Sequence, residues 1–410
     1  MAGPNEARRV VVTGMGVVAP TGIGVDEFWA NTREGTCAIG PITGFPLQDL
    51  YITIAAEVKN FDPQKYNLSK LLLLADRYSQ FAGVAAAEAM SMAGIEGKVA
   101  NGERAAAVIG SGIGGLNTLE KGYEDIFVLE KKATHPLTLL RTIASSAVAH
   151  VSIDYGLKGP AFGTVSACST ASHAIGLTYQ MIRAGMVDFG VAGASEACLT
   201  YGSMRSWQAL RVLSPDGLWP FAHRRNGTVL AEGAGLLVIE ELEHARARGA
   251  TPLAELMGFG MTSDAGDMVN PDIDGPTNAM KIALDDARLS PGDIDYINAH
   301  GTATTANDIN ETAAIRKVFG KDAEKVSISS TKSMHGHCLG AGGGVEAVAA
   351  VKAMQDDYVP ATIGFDEPGK NCDLDYTPNE GRSRQLNYVM SNSFAFGGLN
   401  AVLVFGPPPA

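Results

Sequence analysis

Gly163-Thr-Val-Ser-Ala-Cys168-Ser-Thr-Ala-Ser-His-Ala-Ile175 sets a cysteine where an apolar run gives way to a helix-like stretch. A strand that hands over directly to a helix is the repeating unit of α/β folds, and the junction is where such folds gather their ligands. Small neighbours, Ala167, Ser169 and Ala171, leave Cys168 accessible in this reading. The N–H groups at a helix start favour a thiolate over a thiol whose reference pKa is about 8.5. The stretch alone leaves two roles open, a reactive thiol or a buried small hydrophobe, and the second is the commoner use of cysteine.

The same punctuation recurs along the chain. Glycine, 48 residues in all, closes apolar runs at Val10-Val-Val-Thr-Gly-Met-Gly16, Val108-Ile-Gly-Ser-Gly-Ile-Gly-Gly115 and Val191-Ala-Gly-Ala-Ser195, which is strand followed by turn. Helix-like segments at residues 76–93, 170–184, 277–287 and 310–319 lie between them. The pattern predicts an α/β fold with continuously buried strands. It runs through two comparable passes, residues 8–250 and 251–406, joined near Gly249-Ala-Thr-Pro252. No short period or low-complexity tract interrupts it, which excludes solenoids and disordered linkers. The turn at Gly110-Ser-Gly-Ile-Gly-Gly115 lacks dinucleotide spacing, and no phosphate-cradling GxxxxGK[ST] exists, so a nucleotide site is not expected.

Composition narrows the class further. With 410 residues, 46% of them hydrophobic, the chain buries a large core. No apolar run reaches the roughly 18 to 20 residues of a membrane helix. The polar start, Met1 to Arg9, runs straight into a strand, which predicts a cytoplasmic protein without a targeting segment. Five scattered cysteines, Cys37, Cys168, Cys198, Cys338 and Cys372, form no CxxC pair and leave an odd count. Neither a metal site nor a disulfide framework is expected, and a reducing compartment fits. A net charge of -12 argues against nucleic-acid binding. Lys131-Lys132, Arg205, Arg211 and Arg224-Arg225 are either solvated or positioned for an acidic partner.

Three further motifs carry chemistry. Asn298-Ala-His300-Gly-Thr302-Ala-Thr304 brings a histidine out of a strand into a threonine turn. Its hydroxyls suit an amide-bearing arm such as pantetheine, or else the motif is a hydrogen-bonded turn with a structural histidine. Ser329-Ser-Thr-Lys332-Ser-Met-His335-Gly-His337 is a strand exit that leads into a glycine-rich helix start. Ser391-Asn-Ser-Phe394-Ala-Phe396-Gly-Gly-Leu-Asn400 is a glycine turn whose backbone N–H groups suit an oxyanion. One cysteine with two distant histidines is the constellation that matters.

In order and spacing, Arg9-Val-Val-Val-Thr-Gly-Met-Gly-Val-Val18, Ala167-Cys168-Ser169, His300-Gly-Thr-Ala-Thr304, Ser330-Thr-Lys-Ser-Met-His-Gly-His337, Asp373-Leu-Asp375 and Asn392-Ser-Phe-Ala-Phe-Gly-Gly398 resemble the β-ketoacyl-ACP synthases. These are condensing enzymes of the thiolase superfamily, and the resemblance is to their elongating type II branch. It implies a thiolase-like fold, two similar α/β halves in a layered αβαβα architecture. It also implies that Cys168 takes an acyl group from the phosphopantetheine arm of an acyl carrier protein, with no resident cofactor. The N–H groups of Cys168 and Phe396 would hold the oxyanion, worth about 3 kcal/mol per donor. Neutral His300 and His337 would stabilise the enolate formed when malonyl-ACP loses carbon dioxide. By the same resemblance Lys332 would order the His337 side, and Glu311 would support the loop. Thr302 and Thr304 would grip pantetheine, Phe396 would gate the cysteine, and Ile113, Leu116 and Trp207 would line the acyl tunnel.

The chain departs from the housekeeping pattern in places. Arg225-Asn-Gly-Thr228-Val-Leu-Ala-Glu232 stands for the usual Arg-Asp-Gly-Phe-Val-x-Gly-Glu, and Ala395 and Leu399 replace a glycine and a threonine of the gating loop. Ala395 restricts the hinge that would swing Phe396. In Lys70-Leu-Leu-Leu-Leu-Ala-Asp-Arg77, where basic residues usually dock the carrier, four leucines cannot share one helix face. Other stretches are similar to type II polyketide and nodulation-type ketosynthases. The expected function is therefore a specialised elongating ketosynthase, for a polyketide, a polyene or an unusual fatty acid, acting as a homodimer or a heterodimer with a chain-length partner. The alternatives are a housekeeping elongation synthase, a thiolase, for which Cys338 beside His337 would be the second cysteine, and a non-catalytic chain-length subunit, which generally lacks the nucleophile.

Overall fold

The computed structural model describes residues 8–66 and 68–409, so the polar start at residues 1–7 lies outside the described residues. Ten strands make up most of the central sheet: β1 Val10–Ala19, β2 Ala105–Gly110, β3 Ala161–Phe162, β4 Phe189–Glu196, β5 Gly233–Glu241, β6 Ala254–Ser263, β7 Tyr296–Asn298, β8 Ser327–Ser329, β9 Val389–Ala395 and β10 Leu399–Gly406. Gly22–Ile23 adds a short pairing to the end of β1. β1, β2 and β4 are buried along their whole length, which is why they read as unbroken runs of apolar and small residues instead of alternating ones.

Outward from the contact between β1 and β6 the sheet repeats itself. One side runs β1-β5-β4-β2-β3 and the other β6-β10-β9-β7-β8. In each series the first two pairings are antiparallel and the last two parallel. The two series meet where Val10, Val11 and Val12 pair with Leu256, Glu255 and Ala254.

Six helices position the site: α1 Arg77–Met92, α2 Thr170–Arg183, α3 Tyr201–Ala209, α4 Asp274–Ala287, α5 Thr305–Phe319 and α6 Gly342–Gln355. α1 covers β1 and β5, and α4 covers β6 and β10. α2 and α6 pack on each other and touch strands of both series, so they form the middle layer of an αβαβα stack. α6 is accordingly buried on every side over most of its length, with Ala347 to Val351 fully buried. Its glycines let it come close: a Cβ on Gly235 of β5 would fall 2.1 Å from the Gly344 carbonyl carbon.

α1 starts where expected, with the Asp76 carboxylate accepting the Tyr78 N–H as cap. α4 and α5 start earlier than the sequence pattern suggested. Pro276 falls in the first turn of α4, where its missing N–H has no intrahelical partner to lose. Polar side chains brace the early turns of α5, among them Asn310, whose amide donates to the Pro271 carbonyl at 2.7 Å. The leucine run forms a single turn, Lys70–Leu73, with Leu72 buried and Leu71 and Leu74 exposed. No helix among the described residues is long and apolar enough to cross a membrane.

Candidate active site

The junction at Cys168 is a tight turn, Ala167–Ser169, that leads into α2. Ala167 sits at φ 48°, a region that L-residues avoid, and such strain persists only where the surroundings over-determine it. Hydroxyls do so here. Thr170 donates Oγ1 to the Ala167 carbonyl at 2.7 Å and accepts the Ser166 N–H at 2.9 Å. Ser169 Oγ reaches the Ser393 and Leu399 carbonyls at 2.9 and 2.6 Å, which ties the turn to the β9-β10 hairpin.

Cys168 is more enclosed than its small neighbours suggested, at 7% exposure. Burial pushes its thiol up to about 12, against the Lys332 charge and the Phe396 N–H, both of which favour the anion. The expectation of an accessible thiolate is thereby corrected. The walls around the sulfur remove more anion solvation than Lys332 and the Phe396 N–H restore, which favours the thiol.

His300 leaves the end of β7. Its turn is clamped by Glu311 of α5, whose carboxylate accepts the N–H groups of His300 and Gly301, both at 2.8 Å, and the Asn392 amide at 3.2 Å. Burial raises the Glu311 pKa and those donors oppose it. His337 is held by its backbone, its N–H donating to the Val229 carbonyl at 2.8 Å. Its Nε2 lies 3.1 Å from Cys168 Sγ. The two imidazole rings stand nearly perpendicular, 5.5 Å apart at 84°. Burial, then the Lys332 charge, holds both well below the ordinary histidine range, so both are neutral at pH 7.

Lys332 is fully buried and forms an ion pair with Glu346 of α6. Its Nζ is 3.4 Å from His300 Nδ1. It therefore serves the His300 side, and the expectation that it orders His337 is corrected. Only four residues of sequence separate Lys332 from His337, yet the short helix Lys332–His335 sends the amine toward the other ring. An ammonium has only donors, so His300 Nδ1 accepts and Nε2 carries the proton. Nε2 is then a hydrogen-bond donor.

A cleft open to solvent collects these groups: Cys168, His300, His337, Thr302, Thr304, Trp207 and Phe396 all line it. The thiol sulfur and one nitrogen from each histidine lie within 4.8 Å of one another. That spacing would also suit a metal ion, which would occupy all three groups at once. Thr302 and Thr304 bring their hydroxyls within 3.0 Å of each other. Trp207 of α3 stacks on Phe396, with centroids 6.1 Å apart at 29°. Phe396 sits in a hairpin turn whose Gly398 at φ 68° admits Asp264, which a Cβ there would approach to 2.5 Å. Ala395 pairs in register with Leu399 at the mouth of that turn. Ile113, 45% exposed, and Leu116, which packs on the apolar cluster of Ile42, Ile52 and Met204, are not among the residues that line this cleft.

Sequence reasoning missed Glu346. Its signal was present, a single acid in Gly342-Gly-Gly-Val-Glu346-Ala-Val-Ala-Ala-Val351, where nothing else is polar. It also missed the loop 267–271 on the cleft wall, whose Met268 carbonyl accepts the Gly397 N–H at 2.9 Å.

Residues 7–245 match the family model "Beta-ketoacyl synthase, N-terminal domain" and residues 253–366 match "Beta-ketoacyl synthase, C-terminal domain". The chain is 47% identical to Nodulation protein E of Rhizobium leguminosarum bv. trifolii, covering 97% of this chain and 99% of that one. It is 43% identical to 3-oxoacyl-[acyl-carrier-protein] synthase 2 of Coxiella burnetii, covering 97% and 98%. Among solved structures, the ishigamide ketosynthase/chain length factor superposes with a TM-score of 0.93 at 33% identity, covering 98% of this chain and all of that one. With the cysteine and both histidines on one cleft, the chain belongs to the β-ketoacyl synthase family.

Proposed function

We propose that the chain is an elongating 3-oxoacyl-[acyl-carrier-protein] synthase of a specialised pathway, built from halves 8–250 and 251–406. The observation that carries this reading is the meeting of Cys168, His300 and His337 within 4.8 Å on one cleft. Cys168 Sγ attacks the thioester of an acyl carrier protein, and the carbon–sulfur bond to pantetheine breaks as the new one forms. The thiol proton leaves on the pantetheine sulfur. The N–H groups of Cys168 and Phe396 hold the oxyanion. Malonyl-ACP then enters with its amides along Thr302 and Thr304. His300 Nε2–H, its proton fixed by Lys332, and His337 hold the thioester oxygen while carbon dioxide leaves. The enolate attacks the acyl carbon, the carbon–sulfur bond to Cys168 breaks, its thiolate takes up one proton from solvent to restore the thiol, and the chain is two carbons longer. No step draws on a resident cofactor.

Two observations favour a specialised pathway over housekeeping elongation: the departures at Thr228, Ala395 and Leu399, and the higher identity to Nodulation protein E than to the synthase from Coxiella. We expect acyl carrier protein as partner and the cytoplasm as location. A second subunit, a copy or a chain-length partner, is supported by the exposed Phe127, Val128, Leu139 and Leu140. The test is turnover by the purified protein, alone and with such a partner, on acyl-ACPs of several lengths plus malonyl-ACP. Carbon dioxide released with a product two carbons longer supports the reading. Acyl exchange without either refutes it.

A further inference from the structure

Thr228 stands where the family usually carries phenylalanine, and it lines the cleft. Its neighbours fix its place. Gly227 donates its N–H to the Ala303 carbonyl in the turn after His300, at 3.2 Å, and Val229 accepts the His337 N–H at 2.8 Å. Thr228 is thus held between the two histidine loops. Its own N–H donates to the Val212 carbonyl at 2.9 Å, and its carbonyl accepts from Ser214 at 2.8 Å. The hydroxyl is the one polar group left over. The side chain is 3% exposed, and Oγ1 has no hydrogen-bond partner. Buried hydroxyls are normally paired, so an unpaired one on a ligand cleft points to a partner that arrives with the ligand.

We propose that Thr228 Oγ1 donates a hydrogen bond to the carboxylate of the malonyl thioester before carbon dioxide leaves. The proposal rests on the condensation reading above. In that reading the other polar groups of the ligand already have partners, the thioester oxygen at His300 and His337 and the pantetheine amides at Thr302 and Thr304, all of which line the cleft. The carboxylate lies one methylene from the thioester carbonyl, which brings it between the two histidine loops, where a phenylalanine would offer only an apolar wall. When the bond from methylene to carboxylate breaks, its electron pair passes into the enolate and the carboxylate leaves as neutral carbon dioxide. The hydrogen bond therefore belongs to the ground state. Thr228 selects a carboxylated extender and does not speed its decarboxylation.

Steady-state kinetics, with malonyl-ACP and the acyl-ACP donor varied in turn, test this. Thr228→Val is nearly isosteric and removes only the hydroxyl. The malonyl-ACP KM is expected to rise about tenfold, the scale of one hydrogen bond to a charged acceptor, without a fall in kcat. The KM for the donor should rise far less, and Thr228→Ser should restore the wild-type value. An unchanged malonyl-ACP KM in a T228V protein that melts like the wild type overturns the proposal. So do equal rises in both KM values, or a T228S protein that behaves like T228V. If valine disrupts the fold, Thr228→Ala is read by the same criteria. A wild-type protein that forms no elongated product defeats the condensation reading itself, and the proposal with it.

Discussion

Two turns occupy corresponding places in the two strand series, and only one of them bears a thiol. Ala167–Ser169 leads into α2 and Leu339–Ala341 into α6, and each opens with a residue at φ 48°. Position by position, Cys168 corresponds to Gly340. Cys168 faces the cleft, whereas a Cβ on Gly340 would fall 2.6 Å from Glu196 Oε2 and 2.7 Å from the Gly112 nitrogen. One backbone device thus serves to present a sulfur and, in the other half, to close the core. The second half contributes through its strand ends instead, with His300 after β7 and His337 after the Lys332–His335 turn.

The sharpest way to break this contrast is to exchange the thiols' fates. Cys168→Ala should reduce turnover by about 10,000-fold or more, the scale seen when a covalent nucleophile is lost. Cys338→Ala, which removes a buried sulfur 3.5 Å from the Glu232 carbonyl, should leave turnover within a few-fold. Loss of activity in C338A with survival in C168A would transfer the chemistry to the other turn. Next in size, His300→Ala or His337→Ala should reduce condensation by about 100- to 1,000-fold while sparing Cys168 acylation more. Rapid-quench measurement of each half-reaction separates the two. Condensation at the wild-type rate in both variants would sink the enolate role.

Lys332→Met tests how the second half supports its histidine. Removing one partner of a buried ion pair costs about 3–5 kcal/mol, and denaturant unfolding would report it. Burial already pushes the Glu346 pKa up to about 7, so the orphaned acid can take up a proton, which favours the lower figure. The double variant K332M/E346Q should recover part of the stability. No loss in K332M would mean that the pair carries none. The smallest effect is expected at Gly340→Ala, about 1–3 kcal/mol from the clash with Glu196, read from the same unfolding curves. An unaltered protein would show that the second turn has room for a side chain.

Sequence revealed the site more fully than its electrostatics. Cys168, His300 and Phe396 each follow a strand and His337 follows the short helix after one, and strand ends were legible from apolar runs closed by glycine or polar turns. Side-chain direction was not. Lys332 reads as a neighbour of His337 by number, but the fold turns its amine to His300. Ile113 was placed in a tunnel by resemblance, and it does not line the cleft that holds Cys168. The helix start before α2 was readable and argued for a thiolate, but the walls that bury the sulfur come from β9, β10 and the His337 loop, hundreds of residues away in part, and no local pattern announces them. The layer order of the fold followed from the strand and helix alternation once the family resemblance supplied its topology.

The central claim is that Cys168 alone carries the acyl chain. Peptide-resolved mass spectrometry of the wild-type protein after incubation with acyl-ACP tests it most directly. The account predicts one acyl adduct, on the peptide that contains Cys168, and its disappearance when malonyl-ACP is added. An adduct on Cys198, Cys338 or any other residue, or elongation without any adduct at Cys168, would contradict it.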